Sequence, residues 1–241
     1  MLILYQFPVS HYCEKVRWAL DFKGLEYQVT NLLPGAHIKF VQSIAPKTEV
    51  PVLRHDTKII QGSSEIITYL DRVFPDKSLT PSDPALKQQV LDWETFADEN
   101  IGPHTRLYCY HFLLDNPDIV VPLLSHGQPW HKRWVFRIIF PKVRVKLRKF
   151  MHINDRTAEI SLKKLKRAID KLAAELATKP FLSGDQFTRA DLAAASLLAP
   201  LCTPEKYGVN WPEKLPKDLQ QTIDSFKDKL DWINTLYQIY R

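Results

Sequence analysis

The chain has 241 residues, with 33 Lys and Arg against 27 Asp and Glu and a formal net charge of +6. That length suits two domains, and 45% hydrophobic residues supply buried cores and exclude a disordered chain. No apolar run approaches the ~20 residues that span a bilayer as a helix, and no nucleic-acid signature accompanies the mild basic charge.

The three cysteines, Cys13, Cys109 and Cys202, have neither a disulfide-framework nor a zinc spacing, so no metal is expected. Met1 leads straight into an apolar strand pattern, without a basic leader or cleavage site. Free thiols and no secretory signal predict a cytoplasmic protein.

Leu2 to Phe7 is a short apolar run closed by Pro8, the pattern of a buried strand. A helical pattern follows from Tyr12 to Phe22, with Val16, Ala19 and Leu20 on one face and Gly24 as a stop. Tyr27 to Leu33 reads as a second strand, and Ile38, Phe40 and Val41 as a short helix. Val50 to Leu53, the turn Asp56-Thr57 and Lys58 to Ile60 form a hairpin, with Pro51 at a strand start or in a cis peptide bond. A helix starts at Ser63 or Ser64 and ends before Pro75. Strands alternating with helices predict a mixed sheet covered by helices.

Asp76 to Pro84 is polar, with two prolines, and reads as a linker. Beyond it the strand signals fade. Leu86, Val90, Trp93 and Phe96 recur at helical spacing, as do Leu162, Leu165, Ile169, Leu172 and Leu176. Thr188 and Asp191 form a capping box, Phe187 and Leu192 a hydrophobic staple, and Ala193 to Leu201 a buried helix. Between Trp130 and Phe150 aromatic and basic residues mix. Val143 and Val145 alternate with charges, and Pro141 is read as a helix start. Such a segment either packs on the domain with its long basic chains snorkelling, or contacts an anionic membrane surface.

These pieces resemble the soluble glutathione transferase family, in its serine/cysteine-type branch. Four features carry the resemblance. Ser10-His11-Tyr12-Cys13-Glu14 resembles the active-site turn, with Ser10 at the position of the catalytic Ser or Cys. Val50-Pro51 resembles the cis-proline element. Gly62-Ser63-Ser64-Glu65 resembles the start of the third helix. Phe181 to Ala195 resembles a folding motif of the helical domain.

The resemblance implies a thioredoxin-like N-terminal domain over residues 1–76, with a mixed four-stranded sheet. A linker over 77–84 and an all-helical domain over 85–241, which adds a second-substrate pocket, follow. It further implies glutathione as co-substrate, a homodimer, and transfer of glutathione to an electrophilic apolar substrate. Isomerase, lyase, peroxidase or thiol-transferase chemistry stays open, as does a non-catalytic binding module. Under the resemblance Ser10 is catalytic. Ser10, His11, His37, Glu49, Val50, Pro51, Gly62, Ser63 and Ser64 contact glutathione, with Lys39 an alternative to His37. Tyr12, Arg106, Tyr108 and Cys109 line the second pocket.

Four departures stand out. Gly62 replaces an acid or amide, and Gln61 or Glu65 is the candidate substitute. His11 replaces a proline, Thr48-Glu49 replaces a Gly-Lys or Gly-Gln pair, and Cys109 to Met151 is long for the family. A cap for the next helix is the alternative reading of Ser10. Cys13 reads as a packed residue, because the first place of a Cys-x-x-Cys is taken by Ser10.

Overall fold

The computed structural model describes residues 1–241. Its first unit runs β1 (Leu2–Gln6), α1 (His11–Phe22), β2 (Tyr27–Asn31), α2 (His37–Ile44), β3 (Val52–His55), β4 (Lys58–Gln61) and α3 (Ser63–Val73). The sheet order is β2-β1-β3-β4, with β2 parallel to β1 and the other pairs antiparallel. Leu4 on β1 faces Leu53 on β3, and both are fully buried. β1 is buried at every position, as its unbroken apolar run requires.

Helices make up the rest: α4 (Pro84–Asn100), α5 (Gly102–Leu113), α6 (Pro117–Leu124), α7 (Trp130–Phe150), α8 (Asp155–Leu176), α9 (Arg189–Leu198), a 3₁₀ turn (Ala199–Leu201) and α10 (Lys217–Tyr240). Asp83 caps α4 through Leu86 N–H, with Pro84 in the first turn. The capping box at Thr188 forms as read from the sequence, and α9 is buried throughout. Phe187 stacks on Tyr240 at 4.4 Å.

The segment from Cys109 to Met151 is mostly helical, comprising the end of α5, α6 and all of α7. Pro141 lies inside α7 rather than at its start. Phe136 and Phe140 are buried just before it and Val143 and Leu147 pack after it, so tertiary packing carries the helix past a residue without an N–H.

A buried ionic layer joins the two units. Lys15 of α1, without exposure, meets Glu94 at 2.8 Å and Asp98 at 2.8 Å, both on α4. Arg189 of α9 meets the other oxygen of Glu94 at 2.7 Å and donates to the Ser64 carbonyl at 2.9 Å. Burial opposes ionisation of Glu94, yet Lys15 and Arg189 together hold its carboxyl below its ordinary value.

Candidate active site

A cavity of about 1120 Å³ opens between the sheet unit and the helical unit. Ser10, His11 and Tyr12 from the start of α1 line it, with His37 of α2, Glu49 and Val50 before β3, and Arg106 and Cys109 of α5.

Ser10 is the N-cap of α1. Its Oγ accepts from Cys13 N–H at 3.4 Å, which engages a lone pair and not the hydroxyl proton, so the hydroxyl can still donate. Cap and donor are thus compatible roles for one oxygen. The helix N-terminus adds a partial positive charge of about half a unit at this place.

Tyr12 differs. Its hydroxyl donates to the Asp98 carbonyl at 2.9 Å, and burial pushes its pKa up. Gly102 permits this, because a Cβ there would collide with the Tyr12 hydroxyl. His11 is buried, with Nε2 unpartnered. Burial, helped by repulsion from Arg106, lowers its pKa to about 3, so the ring is neutral near pH 7.

Val50 precedes Pro51 through a cis peptide bond. Neither the N–H nor the C=O of Val50 makes a backbone hydrogen bond, which leaves both for an added extended peptide. The Gln61 side chain donates to the carbonyls of Lys47 and Glu49 at 2.9 and 2.8 Å and accepts from Lys47 N–H at 3.1 Å. That clamp fixes the loop before Val50 and removes Gln61 as a substitute for the acid missing at Gly62. Gly62 N–H donates to the Pro51 carbonyl at 3.1 Å, which ties the start of α3 to the same loop.

Pro51, Gly62, Ser63 and Ser64 lie outside the cavity lining. Ser64 is committed: it donates to Asp98 at 2.7 Å and accepts from Lys15 at 3.0 Å. Ser63 makes no side-chain hydrogen bond, and the first-turn N–H groups of α3 have no helical acceptor. Gly62 has φ 101°, and a side chain there would collide with the Glu65 carboxylate. Glu65 thus folds over the place that the missing acid would fill.

His37 opens α2. Its Nδ1 accepts from Gly35 N–H at 3.1 Å, which puts the proton on Nε2, and partial burial lowers its pKa. Lys39 is exposed and does not line the cavity. Arg106 lines it and makes no ion pair, and burial pushes the Cys109 thiol up to about 12. Cys13 is fully buried, and burial raises its pKa.

Tyr108 does not reach the cavity; it is buried, and its hydroxyl bonds Thr222 of α10 at 2.8 Å. Tyr110 takes the place expected of it. The helical period explains the exchange. Cys109, Tyr110 and Leu113 stand three, four and seven residues after Arg106 and share its face, whereas Tyr108 points elsewhere. That spacing was present in the sequence. The cavity walls from α7, such as Phe136 and Val143, and from Trp211 and Leu215 near the other end of the chain had no comparable signal.

Comparison with known proteins adds to this geometry. The family "Glutathione S-transferase, N-terminal domain" matches residues 4–78, and "Glutathione S-transferase, C-terminal domain" matches residues 130–217. Glutathione S-transferase TCHQD of Arabidopsis thaliana is 26% identical over 224 residues, 82% of this chain and 76% of that protein. Glutathione S-transferase 1 of Dianthus caryophyllus is 34% identical over 116 residues. That match takes in 46% of this chain and spans only 51% of the relative's own length. Among solved structures, β-etherase LigF from Sphingobium aligns with a TM-score of 0.67 and 20% identity over 98% of each chain. A Methylobacterium radiotolerans glutathione S-transferase in complex with glutathione sulfonate aligns at 0.59 and 19% identity, over 95% of this chain and 92% of that one. At these identities the likeness to solved structures is one of fold.

Proposed function

The chain belongs to the glutathione S-transferase family, and from that premise we propose that it binds glutathione along the Val50 loop and transfers its thiolate to an electrophilic, largely apolar substrate. One observation carries the reading: a cap hydroxyl with a free proton, Ser10, lines the same cavity as Val50, whose backbone groups are unpaired.

A free thiol has a pKa near ~8.5, so little is thiolate at neutral pH. A hydroxyl donated to the sulfur favours the charged form, as does the N-terminus of α1. One charge-assisted hydrogen bond, about 1.5–3 kcal/mol, supplies one to two units of pKa lowering. Tyr12 competes poorly for this role, since its proton is held by the Asp98 carbonyl. In this reading the Ser63 hydroxyl and the first-turn N–H groups of α3 receive the γ-glutamyl carboxylate. Glu65 replaces the acid absent at Gly62 and takes the γ-glutamyl ammonium, and His37 Nε2 donates to the glycyl carboxylate. The lining contributed by α5, α7 and the segment around Trp211 holds the second substrate.

Arg106 favours a second reading. An unpaired cation facing the cavity suits a substrate that expels an anionic oxygen, as in cleavage of an ether by the thiolate. Conjugation and cleavage share the attack and differ in the leaving group, so product analysis separates them. Disulfide chemistry finds no support, with Cys13 buried and the Cys109 thiol pushed up to about 12. The expected assembly is a homodimer, which light scattering tests.

The test of the leading reading is Ser10→Ala assayed with glutathione and a generic aryl halide. It should lower kcat/KM by about 10- to 100-fold, the loss of one such hydrogen bond. A folded, glutathione-binding variant with undiminished rate would refute the assignment.

A further inference from the structure

Helix α7 carries eight Lys and Arg and no Asp or Glu over 21 residues, more positive charge than the net +6 of the entire chain. Arg137 pairs with Asp118, and Arg144 and Arg148 pair with Asp115, which fastens the helix to the corner around α6. Lys132, Arg133, Lys142, Lys146 and Lys149 make no ion pair.

The same helix holds half of the large apolar side chains that the protein leaves exposed, seven of fourteen. Trp130 is 79% exposed, Trp134 63%, Ile138 58% and Val145 63%. At about 100° per residue, these four share one side of the helix. The buried Phe136 and Phe140, with Leu147, hold the opposite side against the domain. Packing therefore does not account for the tryptophan side, and solvation does not account for two tryptophans in water.

We propose that α7 docks the protein on the surface of an anionic phospholipid bilayer. Trp130, Trp134 and Ile138 enter the headgroup layer, and Arg133, Lys142 and Lys149 meet lipid phosphates. Tryptophan is the residue whose ring prefers that layer, and unpaired cations beside an apolar seam are the signature of a helix lying in the interface plane. No helix of the chain is long and apolar enough to cross a membrane, so the contact is peripheral. A second copy of this chain is a poorer occupant, because it would bring another five unpaired cations against the first five. Ile139 and Phe150, also exposed, line the cavity, so the docked face borders the cavity and offers lipid-dissolved substrates a short way in.

Co-sedimentation tests this with vesicles of phosphatidylcholine alone and vesicles of about three parts phosphatidylcholine to one of phosphatidylglycerol. The protein should partition at least tenfold more onto the mixed vesicles, with the difference falling as salt rises. Trp130→Ser with Trp134→Ser should lower that partition at least tenfold. Conjugation of a water-soluble electrophile should be unchanged, since neither residue lines the cavity. Arg133→Glu with Lys149→Glu should weaken binding to mixed vesicles only. Equal partition onto both vesicles, no partition, or full partition by the tryptophan variant would overturn the proposal. So would self-association in free solution that the tryptophan variant abolishes without any vesicle binding, which would assign the face to a second copy.

Discussion

Ser10 and Tyr12 present two hydroxyls to one cavity, and hydrogen-bond accounting separates them. Ser10 accepts and keeps its proton, while Tyr12 gives its proton to a backbone carbonyl. His11, between them, makes the site sensitive to acid. Its folded pKa of about 3 lies below its ordinary value of 6.5. Between those values the unfolded chain takes up a proton that the native chain refuses, so stability falls as pH falls. The slope is up to about 1.4 kcal/mol per pH unit. His11→Gln should flatten the loss of thermal stability from pH ~6.5 down to where carboxylates begin to protonate. An acid limb as steep as the parent's would contradict the buried neutral ring. At this scale part was legible. Ser10 and Val50 line the cavity as the short motifs predict, whereas Pro51 and Ser63, read from the same kind of motif, lie outside its lining. The commitment of Gln61 and Ser64 to internal bonds was not legible, since their partners Glu49 and Asp98 come from another turn or another helix.

Among elements, the junction of α1, α3, α4 and α9 rests on charge rather than on apolar contact alone. Glu94 is the shared counter-ion of Lys15 and Arg189, all three nearly without exposure. Breaking a buried pair by removing one partner costs about 3–5 kcal/mol, because the other charge stays buried. Glu94→Ala should therefore destabilise by that amount in urea unfolding. Glu94→Ala in a background of Lys15→Met and Arg189→Met should recover a large part of it. A loss under about 1 kcal/mol in the single variant would show the layer to be hydrated. The sequence revealed Thr188 as a cap because a cap needs only neighbours three residues away. It misread α7 at Pro141 because the forces that carry the helix through, the burial of Phe136 and Phe140, are tertiary.

At the scale of the molecule, the last third of the chain returns to brace the first. Tyr207 donates to the Val9 carbonyl at 2.8 Å and Trp18 donates to the Tyr240 carbonyl at 2.8 Å, while within the first unit Arg17 donates to the Pro8 carbonyl at 3.0 Å. Two of these carbonyls belong to the turn that delivers Ser10. Tyr207→Phe leaves the Val9 carbonyl unpaired in a partly buried place, at a cost of about 1 kcal/mol. It should lower kcat several-fold while leaving KM for glutathione near the parent value, since Val50 and α3 are untouched. A change confined to thermal stability would make Tyr207 structural only. Such long-range bracing had no sequence signal, because bonds that close loops of some two hundred residues leave no local pattern. The proposed function depends on one interaction, that of the Ser10 hydroxyl with the glutathione sulfur. The direct measurement is the pKa of the bound thiol, followed by thiolate absorbance in the parent, Ser10→Ala and Tyr110→Phe. The parent should titrate at least one unit below the ~8.5 of a free thiol, Ser10→Ala near the free value, and Tyr110→Phe with the parent. An unshifted thiol in the parent, or a shift that survives Ser10→Ala and vanishes in Tyr110→Phe, would contradict it.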